Sequence, residues 1–155
     1  MSLPVIIRGD PLSPDLALLH ARHAADMHAE TPPESIHMLP PDELARPGID
    51  FFVIREDDRP VGMGALKRTG EDHAEIKSMH VLAEARGRGL SRLMLDHLIA
   101  HARALGCRRI SLETGAEPIF DPARALYARA GFVECGPFEG YREDPNSVFM
   151  TLGLA

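Results

Sequence analysis

The chain has no tryptophan, only two cysteines and two tyrosines, and no excess of basic charge. Cys107 and Cys135 lie far apart, form no Cys-x-x-Cys pair and have no histidine at zinc-ligand spacing. That argues against a structural zinc site and a disulfide framework, and two reduced thiols are expected. Lys and Arg together number 17 against 23 Asp and Glu, a net charge of −6. Nucleic acid is therefore not an expected partner. No apolar stretch approaches the length of a membrane span. Met1 to Ile7 lacks the basic start and long apolar run of a signal peptide. The expectation is a soluble cytoplasmic protein with no membrane partner. At 155 residues and 45% hydrophobic content, the chain can bury a sizeable core. One domain spanning residues 1–155 is expected.

Strand and helix patterns mix along the chain. Leu3 to Arg8 reads as a strand. Ser13 and Asp15 open a helix carrying Leu16, Leu19, His23 and Met27 at helical spacing, which Pro32 and Pro33 end. A short helix is expected at Pro41 to Ala45. Phe51 to Arg55 and Pro60 to Leu66 read as a hairpin turning at Glu56-Asp57-Asp58-Arg59. Gly62 and Gly64 in its second strand suggest close backbone approach. His73 to Val81 is a further strand. Leu90 to Leu105 is the clearest helix, with Leu90, Leu93, Met94, Leu98, Ala102 and Leu105 on one stripe and Gly106 as its stop. Arg109 to Thr114 reads as a strand. Asp121 is expected to cap a helix whose first residue is Pro122 and which closes at Gly131. Phe132 to Cys135 and Val148 to Leu152 are the last strands. The order predicts an α/β fold with a mixed sheet and helices on its faces.

The most informative segment joins a strand to the strong helix: Val81-Leu82-Ala83-Glu84-Ala85-Arg86-Gly87-Arg88-Gly89-Leu90-Ser91-Arg92-Leu93. A helix start offers unpaired N–H groups and partial positive charge. Glycines let a phosphate approach that backbone, and the arginines concentrate positive charge in an otherwise acidic chain. A P-loop would need Gly-Lys-Ser/Thr, and a dinucleotide fingerprint would need glycine where Arg92 stands. Neither fits, and a pyrophosphate site of another kind is expected.

Arg86-Gly87-Arg88-Gly89-Leu90-Ser91 resembles the Arg/Gln-x-x-Gly-x-Gly/Ala signature of the GNAT acetyltransferase superfamily, with Ser91 at the last position. Flanking segments extend the resemblance. Glu75 to Val81 looks like the family's fourth strand, and Ala123-Arg124-Ala125-Leu126-Tyr127-Ala128-Arg129-Ala130-Gly131-Phe132 looks like its A-x-x-L-Y-x-x-x-G-F element. Pro33 to His37 and Glu143 to Met150 resemble a bacterial subgroup of small members. The resemblance implies a central mixed sheet of about six to seven strands, in which the strands around Glu75–Val81 and Arg109–Thr114 splay apart. It implies acetyl-CoA as co-substrate and no metal. Met79, His80 and Val81 would meet the pantetheine, and Arg86, Gly87, Arg88, Gly89, Leu90 and Ser91 the pyrophosphate. Family members often carry asparagine seven residues before the tyrosine; Phe120 stands there, and either faces the acceptor or packs. Many relatives are dimers, which makes a homodimer the expectation.

The resemblance also implies N-acetyl transfer. An alkyl ammonium, with a pKa near 10.4, must lose a proton before it attacks. The thioester carbonyl must be polarised, and the departing thiolate gains from a hydrogen bond. Tyr127 is the candidate for the last role and for contact with the cofactor's sulfur. Glu75 is a candidate general base with His37 and His80 as rivals, Glu75 and His37 being level, and Glu75 having an alternative as partner of Lys77 on the same strand face. The backbone N–H of His80 or Val81 would polarise the carbonyl. Glu34, Ser35, His37, Thr114, Gly115 and Phe120 are expected to bind the acceptor. His97 and His101, spaced i and i+4 without a third ligand, read as a solvated helix face. The expected reaction is direct attack, in a ternary complex, by a primary amine of a small molecule such as an amino acid, polyamine, aminosugar or xenobiotic. Acetylation of a protein N-terminus or lysine and non-catalytic sensing of acyl-CoA are the alternatives.

Overall fold

The period-two segments become strands and the period-3.6 segments helices in the computed structural model, which describes residues 3–154. The strands are β1 Val5–Arg8, β2 Ile49–Glu56, β3 Arg59–Arg68, β4 His73–Val81, β5 Arg109–Gly115, β6 Val133–Cys135 and β7 Ser147–Gly153. The helices are α1 Ala17–Glu30, α2 Pro41–Leu44, α3 Leu90–Ala104 and α4 Asp121–Arg129, with short 3-10 turns at Pro14–Leu16, Pro33–Ser35, Ala83–Ala85 and Pro118–Phe120. One seven-stranded mixed sheet runs in the order β1-β2-β3-β4-β5-β7-β6. Among the described residues, no helix is long and apolar enough to cross a membrane.

Local chemistry accounts for the main joints. The β2–β3 hairpin turns on Asp57 and Asp58, with φ of +50° and +62°. Two left-handed residues match the strand twist, and aspartate tolerates that region. Helix α3 buries Leu90, Met94, Leu95, Leu98, Ile99 and Ala102. It lies close on β3 because Gly64 has no side chain: a Cβ there would sit 2.8 Å from Met94 Cγ. Gly106, at φ +85°, ends α3 as expected. The start of α4 differs from the sequence expectation. Phe120 is the cap and Asp121 the first helical residue, its carboxylate taken by Arg124 three positions on. His97 and His101 are also not a solvated face. They pack edge-on to Phe52 at 4.5 and 5.0 Å, and His101 Nε2 lies 2.7 Å from Asp50.

The feature that positions the site is the short partnership of β4 and β5. They pair in parallel only at His73–Arg109, Ala74–Ile110 and Glu75–Ser111. Beyond those pairs the strands part, while β3 holds β4 on to Val81 and β7 holds β5 on to Gly115. A bulge marks the same stretch of β4. Met63 pairs with His80 and Ala65 with Lys77, so Ser78 and Met79 both stand opposite Gly64. Ser78 adopts φ +54°, an uncommon conformation for a residue with a side chain.

Candidate active site

Where β4 and β5 separate, a cleft of about 650 Å³ opens. Its walls are β4 from Ile76 to Val81, Leu112 to Thr114 of β5, the start of α3, and one side of α4. The separation leaves backbone groups without a neighbouring strand, and such groups need other partners.

One end of the cleft is the glycine turn. Gly87 and Gly89 both have φ +79°, and neither would clash if a Cβ were added, so conformation alone demands glycine there. The Gly89 carbonyl accepts the first helical bond, from Leu93 N–H at 3.0 Å. The N–H groups of Leu90, Ser91 and Arg92 therefore have no partner within the helix. Arg86, Gly87, Gly89, Leu90, Ser91 and Arg92 all line the cleft. Arg86 donates from Nε to Val81 O at 3.0 Å and pairs with Asp26 at 3.2 Å. Arg88 departs from the expectation: its side chain turns away to form a two-pronged ion pair with Glu56 of β2, outside the cleft.

The middle of the cleft is polar and buried. Met79, His80 and Val81 line it as expected. Ser78 Oγ and His80 Nε2 are buried without any hydrogen-bond partner. Orphaned polar atoms of this kind are rare and fit a ligand that brings its own donors and acceptors. Burial, and next the Arg86 charge, push the His80 imidazole down to about 4. Burial lowers His23, 5.4 Å away, to about 4 as well, with His80 contributing. Both rings are neutral at pH 7.

Two side chains carry reactive protons. Tyr127 is buried in α4 and lines the cleft. Burial first, then the charge of Glu113, raises its phenol to about 12, so it stays a hydrogen-bond donor across the working pH range. Glu113 of β5 lines the same cleft, and burial raises its carboxyl to about 7. The charges of Glu75 and Asp144 push it the same way. Ser147, without reaching hydrogen-bond geometry, and Lys77 oppose them.

A splayed cleft with a glycine-capped helix at one end, lined by a raised carboxyl and a protonated phenol, suits transfer from an acyl thioester. The family model for the Acetyltransferase (GNAT) family matches residues 18–132. The uncharacterized N-acetyltransferase YsnE of Bacillus subtilis is 46% identical over 132 residues, 85% of this chain and 87% of the relative. The uncharacterized N-acetyltransferase YedL of Escherichia coli is 38% identical over 149 residues, 96% of this chain and 94% of the relative. A crystal structure of a candidate acyl-CoA N-acyltransferase from Klebsiella pneumoniae matches with a TM-score of 0.81 at 29% identity, covering 99% of both chains.

The chain belongs to the GNAT acetyltransferases. It is an enzyme, and acetyl-CoA is its acyl donor. The GNAT cleft fits that donor through the free helix start, the unpaired strand edges and the orphaned Ser78 and His80 atoms.

The other end of this GNAT cleft is built by two loops. Lys77 of β4 is buried and donates to His37 O at 3.0 Å and to Tyr141 Oη at 2.6 Å. Its Nζ lies 3.2 Å from Glu75 Oε2, and Tyr141 donates to that same oxygen at 2.5 Å. Burial and the Glu75 charge drive the Tyr141 phenol far above its ordinary value. Of the two readings of Glu75, the structure has the ion pair: the residue is 2% exposed and does not line the cleft. The network ties the segment before α2 and the loop before β7 to the central strand.

The remaining expected acceptor residues separate. His37 lines the cleft and packs edge-on to Tyr141 at 5.0 Å. On the far side of that ring pair lies a second hollow of about 470 Å³, lined by His37, Glu34 and residues 139–144. Ser35 reaches neither cavity; it is buried against Asp144, 2.5 Å away, and Asn146. Thr114 lines the cleft. Gly115 does not, because the Phe120 ring lies on it; a Cβ there would fall 2.2 Å from Phe120 Cδ2. Phe120 thus packs and still forms part of the cleft wall. Among the described residues no group of three or more His, Cys, Asp or Glu could hold a metal.

Sequence reasoning missed Glu113 and Tyr141 as site residues. Glu113 had a signal, a lone carboxylate within the apolar alternation of Ile110-Ser111-Leu112-Glu113-Thr114. Tyr141 had none, since only the fold brings it to Lys77.

Proposed function

We propose that the enzyme acetylates a primary amine of a small molecule by direct attack in a ternary complex, with Glu113 as the base and Tyr127 as the donor to the leaving sulfur. The observation that carries this reading is that Glu113 and Tyr127 line one cleft at the strand separation, where the Glu113 charge helps to raise the Tyr127 phenol. Glu113 takes a proton from the acceptor ammonium. The freed nitrogen lone pair forms the new bond to the thioester carbonyl carbon, whose oxygen is met by backbone N–H groups of β4 beyond the bulge. As the tetrahedral centre collapses, the C–S bond breaks and its electron pair goes to sulfur, which takes the Tyr127 proton; the second proton lost by the nitrogen restores the phenol through solvent, and Glu113 releases its proton to solvent. Protonation of Glu113 removes the charge that helps to raise Tyr127, so the first proton transfer makes the phenol a better acid for the second. His37, Thr114 and Phe120 would form the acceptor's walls. Cys107 is buried and Cys135 is pushed up by burial, which suits no covalent acetyl-thiol route.

The test is a free-thiol assay with acetyl-CoA and pools of small amines and peptides, run on the wild type, Tyr127→Phe and Glu113→Gln. Thiol release that depends on a small-amine pool, and falls roughly 10²-fold or more in Glu113→Gln, is expected. Release only with peptides would move the activity to protein acetylation. Acetyl-CoA binding without release from any pool would make the protein a sensor.

A further inference from the structure

Among the described residues Lys77 is the one lysine on the cleft wall, and its charge is already answered by Glu75. An ammonium carries three N–H bonds. Two of those of Lys77 are donated to His37 O and Tyr141 Oη, and Nζ forms an ion pair with Glu75 Oε2 at 3.2 Å. Its charge is answered by Glu75, buried beside it. The other cations on the cleft are Arg86, Arg92 and Arg129. They project from the glycine turn and the helices, exposed to solvent, and Arg86 and Arg92 already pair with Asp26 and Asp96. None lies on β4 or β5, the strands that present Lys77 and Glu113.

On the reading that Glu113 receives the amine, the atoms next to that amine enter a space with the half-buried Glu113 carboxylate and a lysine whose charge is answered by Glu75. A carboxylate on the carbon bearing the amine would stand against Glu113 with no unpaired cation on β4 or β5 to receive it. Like charges juxtaposed out of water are strongly unfavourable, and a buried charge without a partner is more so. Apolar groups meet no such cost, since Leu112, Ile119, Phe120 and Met38 line the same cleft.

We infer that the acceptor bears its amine on a carbon without a carboxylate, so that alkyl and arylalkyl amines are substrates and the α-amines of amino acids are not. This inference rests on the proposed function above. Lys77 acts here as a specificity-determining residue through having its charge answered: the Glu75–Lys77–Tyr141 network withholds the cation that an α-amino acid would need.

The experiment compares matched pairs, tyramine with tyrosine and phenethylamine with phenylalanine, by kcat/KM in the thiol-release assay. Lysine is added because it offers both kinds of amine, with the acetylated position read by mass spectrometry. The amines are expected to exceed their amino acids on the order of a hundredfold, and lysine to be acetylated at its side chain. Glu75→Gln removes the charge that answers Lys77, and the ratio between pair members is expected to narrow roughly tenfold. A purely structural effect would lower both members equally and leave the ratio unchanged, which would overturn the role given to Lys77. Ratios near one in the wild type, or in favour of the amino acids, overturn the inference while the proposed function stands. No turnover of any amine by an enzyme that binds acetyl-CoA overturns both.

Discussion

Replacing Glu113 by glutamine should make the protein more stable while removing its activity, and the gain should depend on pH. Glu113 sits in a site that penalises its charge, raising the carboxyl from an ordinary 4.5 to about 7. A carboxyl raised in the folded state binds a proton that the unfolded chain has already lost. Folding stability from this group is therefore fully present below pH 4.5 and is lost as pH rises through about 7. At about 1.4 kcal/mol per pH unit, the loss is about 3 kcal/mol once the group is ionised. Glutamine keeps the size and never carries the charge. Urea denaturation of wild type and Glu113→Gln at pH 5 and pH 8 is the assay. At pH 5 the two should differ by less than about 1 kcal/mol, and at pH 8 the variant should lead by about 3 kcal/mol. For a chain of this size that corresponds to roughly 6–12 °C in Tm. An equal difference at both pH values, or a wild type that is the more stable at pH 8, would refute the claim that ionised Glu113 is held at a cost.

The other predictions concern the two ends of the cleft. Lys77→Met leaves the Glu75 carboxylate buried with no ammonium beside it, and should cost about 3–5 kcal/mol in chemical denaturation at pH 7. Adding Glu75→Gln should restore part of that loss, and strict additivity of the two substitutions would contradict the pairing. Arg86→Ala should weaken acetyl-CoA binding roughly tenfold or more by calorimetry, whereas Arg88→Ala, whose side chain is held by Glu56, should leave it within about twofold. Equal losses in the two variants would contradict the orientation of Arg88.

The parts of the site that sequence could reveal are those made by neighbouring residues. Gly87 and Gly89 marked a glycine turn into a helix, and both take positive φ. The stripe on α3 and the prolines before Ile36 are local in the same way, and they become a packed helix and a break in the chain. The separation of β4 from β5 came only through resemblance, since no residue in either strand forbids further pairing. The division of labour between Glu75 and Glu113 was not legible. Both are carboxylates on strands beside the splay, and what distinguishes them is Tyr141, 66 residues from Glu75, together with Lys77. Arg88 was misplaced for the same reason: its partner Glu56 is 32 residues away, and charge spacing within the loop says nothing of it. Ser35 looked like an acceptor contact because it is polar and follows two prolines, yet Asp144, 109 residues on, takes its hydroxyl.

The central claim is that Glu113 accepts the acceptor's proton. The pH dependence of kcat/KM for a turned-over amine, measured from pH 5.5 to 8.5, tests it most directly, because that profile reports ionisations of the free enzyme. The wild type should rise with unit slope and level off above about pH 7, where Glu113 becomes a carboxylate. Glu113→Gln should lose that limb along with most of its rate. A wild-type profile flat over this range, or a limb that persists unchanged in the variant, would contradict the assignment.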